Sequence, residues 1–192
     1  MYPFDFVFHV TYTLTDNGYI TAFTVENNSD RVMPFCVGGH PGFILPMEPG
    51  ADFTDYQLVF PQAEDGKNHL APGGGRIDGY EYLDCFHNND TLPLRYELFD
   101  DRDALIFTEL KSRSVKLVHK TSGKGIDFSF PKMEVLAVWT MPGKHAPYLC
   151  LEPWHGMPGV VGESGNFEDK PFVTLLKPGQ SWQGSFTATL IG

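Results

Sequence analysis

Two stretches carry the side chains best suited to moving protons. The first is Cys36-Val37-Gly38-Gly39-His40-Pro41-Gly42-Phe43. Two glycines let a backbone turn sharply or come close to a ligand. The proline after His40 pushes that residue towards an extended conformation. The second stretch is Tyr148-Leu149-Cys150-Leu151-Glu152-Pro153-Trp154-His155-Gly156. Here a glutamate closes an apolar run, with an indole two residues on. Apolar surroundings disfavour the charged carboxylate, which is how a glutamate becomes a base useful near neutral pH. An imidazole and a carboxylate held this way suit general acid–base chemistry. Each stretch also has a plainer reading. The first is equally a turn that contains a histidine. The second is equally a strand-end glutamate satisfied by backbone amides or an arginine. His155, beside Trp154, is either a ligand contact or a solvated loop histidine.

The elements that would position these groups read as strands. Phe4, Phe6, Phe8, Val10, Tyr12 and Leu14 fall at every second position, which predicts a long strand with one buried face. Asp16-Asn17-Gly18 is a hairpin turn, and Tyr19 to Glu26 returns. Val32 to Val37 is a third strand ending at the histidine stretch. Tyr56 to Phe60 is a strand within a mostly irregular segment from Ala51 to Gly79 that includes the turn-rich Pro72-Gly73-Gly74-Gly75. Pro93 to Phe99 and Ala104 to Leu110 read as a hairpin around Asp100-Asp101-Arg102-Asp103. Val115–His119, Gly125–Phe130, Val135–Trp139, Pro147–Glu152 and Phe172–Leu176 follow, and a last strand contains Trp182, Phe186, Ala188 and Leu190. No amphipathic helix of three turns appears. Many short strands between turn signals predict a single all-β domain, an antiparallel β-sandwich.

Composition narrows the function. The formal net charge is -10 and aromatics make up 14% of the residues, 16 of them Phe. An acidic chain argues against nucleic acid, whose binders need a basic face. Aromatics in this number favour strands and also line small-molecule clefts. The three cysteines, Cys36, Cys85 and Cys150, show no metal-like pairing and read as reduced thiols, hence a cytoplasmic expectation. No run is long enough to span a membrane as a helix, and the N-terminus lacks the pattern of a signal peptide. His69, His87, His119 and His145 are scattered, so no metal site is expected. Neither a G-x-S-x-G nor a phosphate-binding loop is present.

Several segments together resemble the aldose 1-epimerase (galactose mutarotase-like) family, in its bacterial LacX-like branch. They are Tyr2-Pro3-Phe4-Asp5-Phe6, the Asn27 turn, Met33-Pro34-Phe35, Gly38-Gly39-His40-Pro41, Trp139, Ala146-Pro147, Cys150-Leu151-Glu152-Pro153-Trp154, Lys170-Pro171 and Leu176-Lys177-Pro178-Gly179. The resemblance covers essentially the whole chain. It implies a β-supersandwich that interconverts the α and β anomers of a free hexose without a cofactor. His40 then matches the general acid and Glu152 the general base. Trp154 and His155 are expected at the substrate. Asp100 is the nearest candidate for an aspartate that holds sugar hydroxyls.

The resemblance also implies an arginine and a second histidine before the point where this chain begins, so the family's N-terminal strands are expected to be missing and activity impaired. The alternative is a carbohydrate-binding protein without turnover. A phosphorylated-hexose enzyme would need clustered arginines, and Arg31, Arg76, Arg95, Arg102 and Arg113 are dispersed. The first strand begins with almost no lead-in, so exposed strand edges and a homodimer through them are expected.

Overall fold

A computed structural model describes residues 2–72 and 75–192; of the expected glycine turn, Gly73 and Gly74 lie outside the described residues. The strands in chain order are β1 (Phe6–Thr15), β2 (Gly18–Asn27), β3 (Met33–Phe35), β4 (Val37–Gly38), β5 (Gly42–Ile44), β6 (Tyr56–Glu64), β7 (Lys67–His69) and β8 (Tyr80–Tyr82). They continue with β9 (Asn89–Pro93), β10 (Ala104–Phe107), β11 (Ser114–His119), β12 (Gly125–Ser129), β13 (Val135–Trp139), β14 (Tyr148–His155), β15 (Thr174–Leu176) and β16 (Ser181–Ile191). The fold is all-β and its strand ladders are antiparallel. The larger sheet runs β1-β2-β16-β12-β11-β6-β9. The second runs β10-β13-β14-β4, with β5 also on β14.

The sheets pack through alternating side chains, as period-two strands dictate. Phe128 of β12 and Phe186 of β16 meet from the larger sheet, their ring centroids 5.5 Å apart. Phe43 of β5 packs edge-on to Phe128 from the second sheet. Leu136 and Val138 of β13 and Leu149 and Leu151 of β14 join the same core. The alternate residues on these two strands, Ala137, Trp139, Cys150 and Glu152, therefore lie on the opposite face of the second sheet.

Three expectations need correction. β1 pairs with β2 along its whole length but lies at the sheet edge, and its apolar face is not buried: Tyr12 is 73% and Leu14 86% exposed. Alternation shows which side chains share a face, whereas burial needs a second layer, and none of the described residues covers Tyr12 and Leu14. Pro93 to Phe99 is not a strand. β9 ends at Pro93, and Glu97–Asp100 is a single helical turn, α1. β10 accordingly pairs with β13 rather than closing a hairpin. Finally, β14 continues through Pro153 to His155 instead of stopping at Glu152. Among the described residues no helix is long and apolar enough to cross a membrane.

Candidate active site

The geometry of the site follows from one ladder. Val37 and Gly38 pair with His155 and Trp154, and Gly42, Phe43 and Ile44 pair with Cys150, Leu149 and Tyr148. The register is the same on both sides of the intervening Gly39-His40-Pro41. The strap stays attached to β14 there: the Gly39 amide donates to the Pro153 carbonyl at 3.0 Å and the Leu151 amide to the Pro41 carbonyl at 3.2 Å. His40 thus stands directly across from Glu152. The His40 Nε2 lies 3.1 Å from the Glu152 Oε1.

The glycines serve this close approach. Neither Gly38 nor Gly39 has a positive φ. A Cβ on Gly38 would come within 2.6 Å of the Trp154 ring, and one on Gly39 within 2.4 Å of the Phe186 ring. A side chain at either position would lift the strap, and His40 with it, away from β14.

The two members of the pair sit in different surroundings. The His40 side chain is 61% exposed and that of Glu152 only 5%. Burial pushes the Glu152 carboxyl up to about 7, against an ordinary 4.5; a hydrogen bond from Trp154 works the other way, and the negative charge of Asp103 adds to the rise. Asp103 sits immediately before β10 with a φ of 64°, a left-handed conformation that aspartate tolerates better than most residues. Among the described residues no lysine or arginine lies within ion-pair distance of Glu152. Trp139 packs edge-on to His40 at 5.7 Å, and Tyr148 lies 5.8 Å beyond it. Cys150 shares the face of Glu152 and pairs with Trp139 across the ladder. Burial, with the neighbouring Glu152, pushes its thiol up to about 11.

The other expected site residues divide. Trp154 lies on the Glu152 face and hydrogen-bonds its carboxyl. His155 does not join the pair. Period-two alternation turns it to the opposite face, where it is buried, stacked on Trp182 at 4.5 Å and tilted against Phe35. Its Nδ1 donates to Glu134 Oε2 at 2.6 Å and its Nε2 meets the Thr174 hydroxyl, so both ring nitrogens are engaged. Asp100 accepts the Gly143 amide at 2.8 Å and faces His145 at 3.7 Å, which ties α1 to the turn before β14. The aspartate that acts on Glu152 is Asp103. Its signal in sequence is the Asp-rich turn Asp100-Asp101-Arg102-Asp103, which reads as a hairpin tip but joins α1 to β10.

A groove of about 450 Å3 borders the strap on its other side, lined by Phe8, Val10, Tyr12, Phe23, Phe186 and His40 among others. Glu152 does not line it. His40 is the residue common to the groove and the pair.

An aldose 1-epimerase family model matches residues 1–189. The chain belongs to the aldose 1-epimerase family. Protein LacX of Lactococcus lactis subsp. lactis, in plasmid and chromosomal forms, is 34% identical over 192 residues, which is 99% of this chain and 64% of LacX. Among solved structures, a galactose mutarotase related enzyme from Lactobacillus acidophilus has a TM-score of 0.88 at 29% identity, covering 100% of this chain and 63% of that one. A galactose mutarotase-like protein from Lactobacillus casei has a TM-score of 0.86 at 26% identity, covering 99% of this chain and 65% of that one. The chain therefore spans just under two thirds of the length of each of these relatives. The fold is galactose mutarotase-like.

Proposed function

We propose that the chain interconverts the α and β anomers of a free hexose, with His40 as general acid and Glu152 as general base. The observation that carries this reading is the 3.1 Å pairing of an exposed imidazole with a buried carboxyl pushed up to about 7. Anomerisation asks for a proton at the ring oxygen and removal of one from the anomeric hydroxyl. Both oxygens are bonded to the same carbon, so an acid and a base that touch one another can serve both at once. His40 gives its proton to the ring oxygen as the bond from that oxygen to C1 breaks. Glu152 takes the hydroxyl proton as the C1 carbonyl forms. Rotation about C1–C2 and return of both protons close the ring as the other anomer, and the pair is reset without a cofactor. A base whose pKa lies near the working pH is the efficient choice. Trp139 offers an apolar wall beside the acid, the usual partner for the C–H face of a sugar. Asp103, whose charge bears on Glu152, takes over from Asp100 as the candidate to hold a sugar hydroxyl in this reading.

A second reading is carbohydrate binding without turnover. The absence of an arginine or lysine at the pair, among the described residues, favours it, because positioning donors supply much of a rate enhancement. Polarimetry separates the two. Fresh α-glucose or α-galactose should reach equilibrium faster with protein than in buffer. Protection from thermal unfolding by sugar with no acceleration would replace the enzyme by the binding protein.

Two further features support proposals of their own. Cys36, Cys85 and Cys150 are free, which suits a reducing, cytoplasmic setting. β1 presents a ten-residue edge with exposed apolar side chains, and such edges pair with one another, so a homodimer through β1 is expected. Tyr12→Lys should then shift the sedimentation coefficient to that of a monomer; a wild-type chain that already sediments as a monomer would dispose of the dimer.

A further inference from the structure

On the outward face of the second sheet, three potential metal ligands converge. The His40 ring nitrogen, the Cys150 sulfur and a Glu152 carboxylate oxygen all lie within 4.8 Å of one another. They come from one strand and the strap beside it: Cys150 and Glu152 are two residues apart on one face of β14, and the strap between β4 and β5 brings His40 across from them. Spacing along the chain did not show this cluster, because its third member arrives by strand pairing.

We propose that His40, Cys150 and Glu152 bind a thiophilic divalent cation, Zn2+ in particular, and that the bound ion competes with sugar for the acid–base pair. Zinc takes nitrogen, sulfur and carboxylate ligands at about 2.0–2.3 Å, so tetrahedral ligand atoms stand roughly 3.3–3.8 Å apart. The His40–Glu152 separation of 3.1 Å is already close to that, and the widest separation has to shrink by no more than about 1 Å. The exposed His40 ring can swing and the Cys150 and Glu152 side chains can rotate about their own bonds to close the set, while β14 fixes the backbone of the latter two. Three protein ligands leave a fourth position to water. Among the described residues no lysine or arginine lies within ion-pair distance of Glu152, so a cation meets no competing positive side chain there other than His40. Thiolate and imidazole together favour zinc over magnesium or calcium, which prefer all-oxygen sites. Ligation engages the imidazole nitrogen and the carboxylate that the proposed reaction needs, so the ion acts as a reversible inhibitor. That inhibitory consequence rests on the anomerase reading, whereas binding does not.

The test begins with binding alone. Zn2+ is titrated into the full chain against a chromophoric chelator, and Co2+ is used as an absorbing substitute. One equivalent should bind, and Co2+ should show a thiolate-to-metal charge-transfer band. Cys150→Ser should lose that band, and Cys150→Ser and His40→Asn should each weaken binding on the order of tenfold or more. His9→Gln, on the exposed β1, should bind as wild type, and Mg2+ should not compete. Zn2+ should then slow anomerisation measured by polarimetry, with restoration by a chelator, each variant compared with its own metal-free rate. Binding that ignores both the Cys150→Ser and His40→Asn changes, or no binding at one equivalent, overturns the proposal. If the metal binds as described but the metal-free chain never accelerates anomerisation, the cation site stands and the enzyme reading falls. If the chain is an active anomerase that zinc leaves untouched, the competition is refuted.

Discussion

Replacing Glu152 by glutamine should remove activity and at the same time stabilise the protein, but only above a definite pH. The carboxyl is buried and pushed up to about 7, from an ordinary 4.5 in the unfolded chain. Below pH 4.5 the group is protonated in both states and costs the fold nothing. Between 4.5 and 7 the unfolded chain ionises first, and stability falls as pH rises. Above 7 the full cost is present. At ~1.4 kcal/mol for each tenfold of proton affinity, the cost comes to about 3 kcal/mol. The His40 ring at 3.1 Å can donate a hydrogen bond that returns part of that, but it is mostly exposed, leaving about 2–3 kcal/mol. Glutamine never ionises and keeps an oxygen to accept from Trp154. Urea unfolding of wild type and Glu152→Gln at pH 4.5 and pH 8 measures the difference. The variant should be level with wild type at pH 4.5 and more stable by about 2–3 kcal/mol at pH 8, with an unchanged denaturant slope. Polarimetry at pH 8 without urea should show a loss of about 10²–10⁴-fold in catalysed rate. A stability difference that stays constant between the two pH values would show that Glu152 is not a buried, raised carboxyl, and the argument for its role as base would fail with it.

Other outcomes follow from the same geometry. The catalysed rate should fall below about pH 7, to roughly a hundredth of its plateau by pH 5, as the base is protonated; Asp103→Asn, by removing a charge that raises Glu152, should move this limb to lower pH in a polarimetric pH profile. His40→Asn should cost about 10²–10⁴-fold in rate while changing the urea midpoint little, because the ring is exposed. Gly39→Ala should lower both rate and stability, by about 1–3 kcal/mol in denaturant unfolding, since its Cβ would strike Phe186 at 2.4 Å. His155→Phe should destabilise the fold through loss of the Glu134 and Thr174 hydrogen bonds and lower the thermal midpoint, with KM for the sugar unchanged.

Much of this protein is written locally. Strand-length apolar runs such as Tyr19–Glu26 and Val135–Trp139, with turn residues between, are enough to predict an antiparallel all-β domain, because strand length and turn chemistry depend on neighbouring residues only. His40 and Glu152 are also visible, each marked by the proline that follows it and by the apolar run it closes. What the chain could not disclose is anything that depends on a second strand. The pairing of His40 with Glu152 rests on the register of β4 and β5 against β14, a contact between distant segments. The height of the Glu152 pKa rests on burial and on Asp103, which arrives from the turn before β10. His155 misleads in sequence because Pro153 reads as a strand end; the strand runs on, and its alternation turns His155 to the other face. β1 misleads in the opposite sense, since an alternating strand is buried only where another layer lies over it. Side-chain type and period are properties of the chain, whereas register, face and burial are decided by which strands the fold brings together.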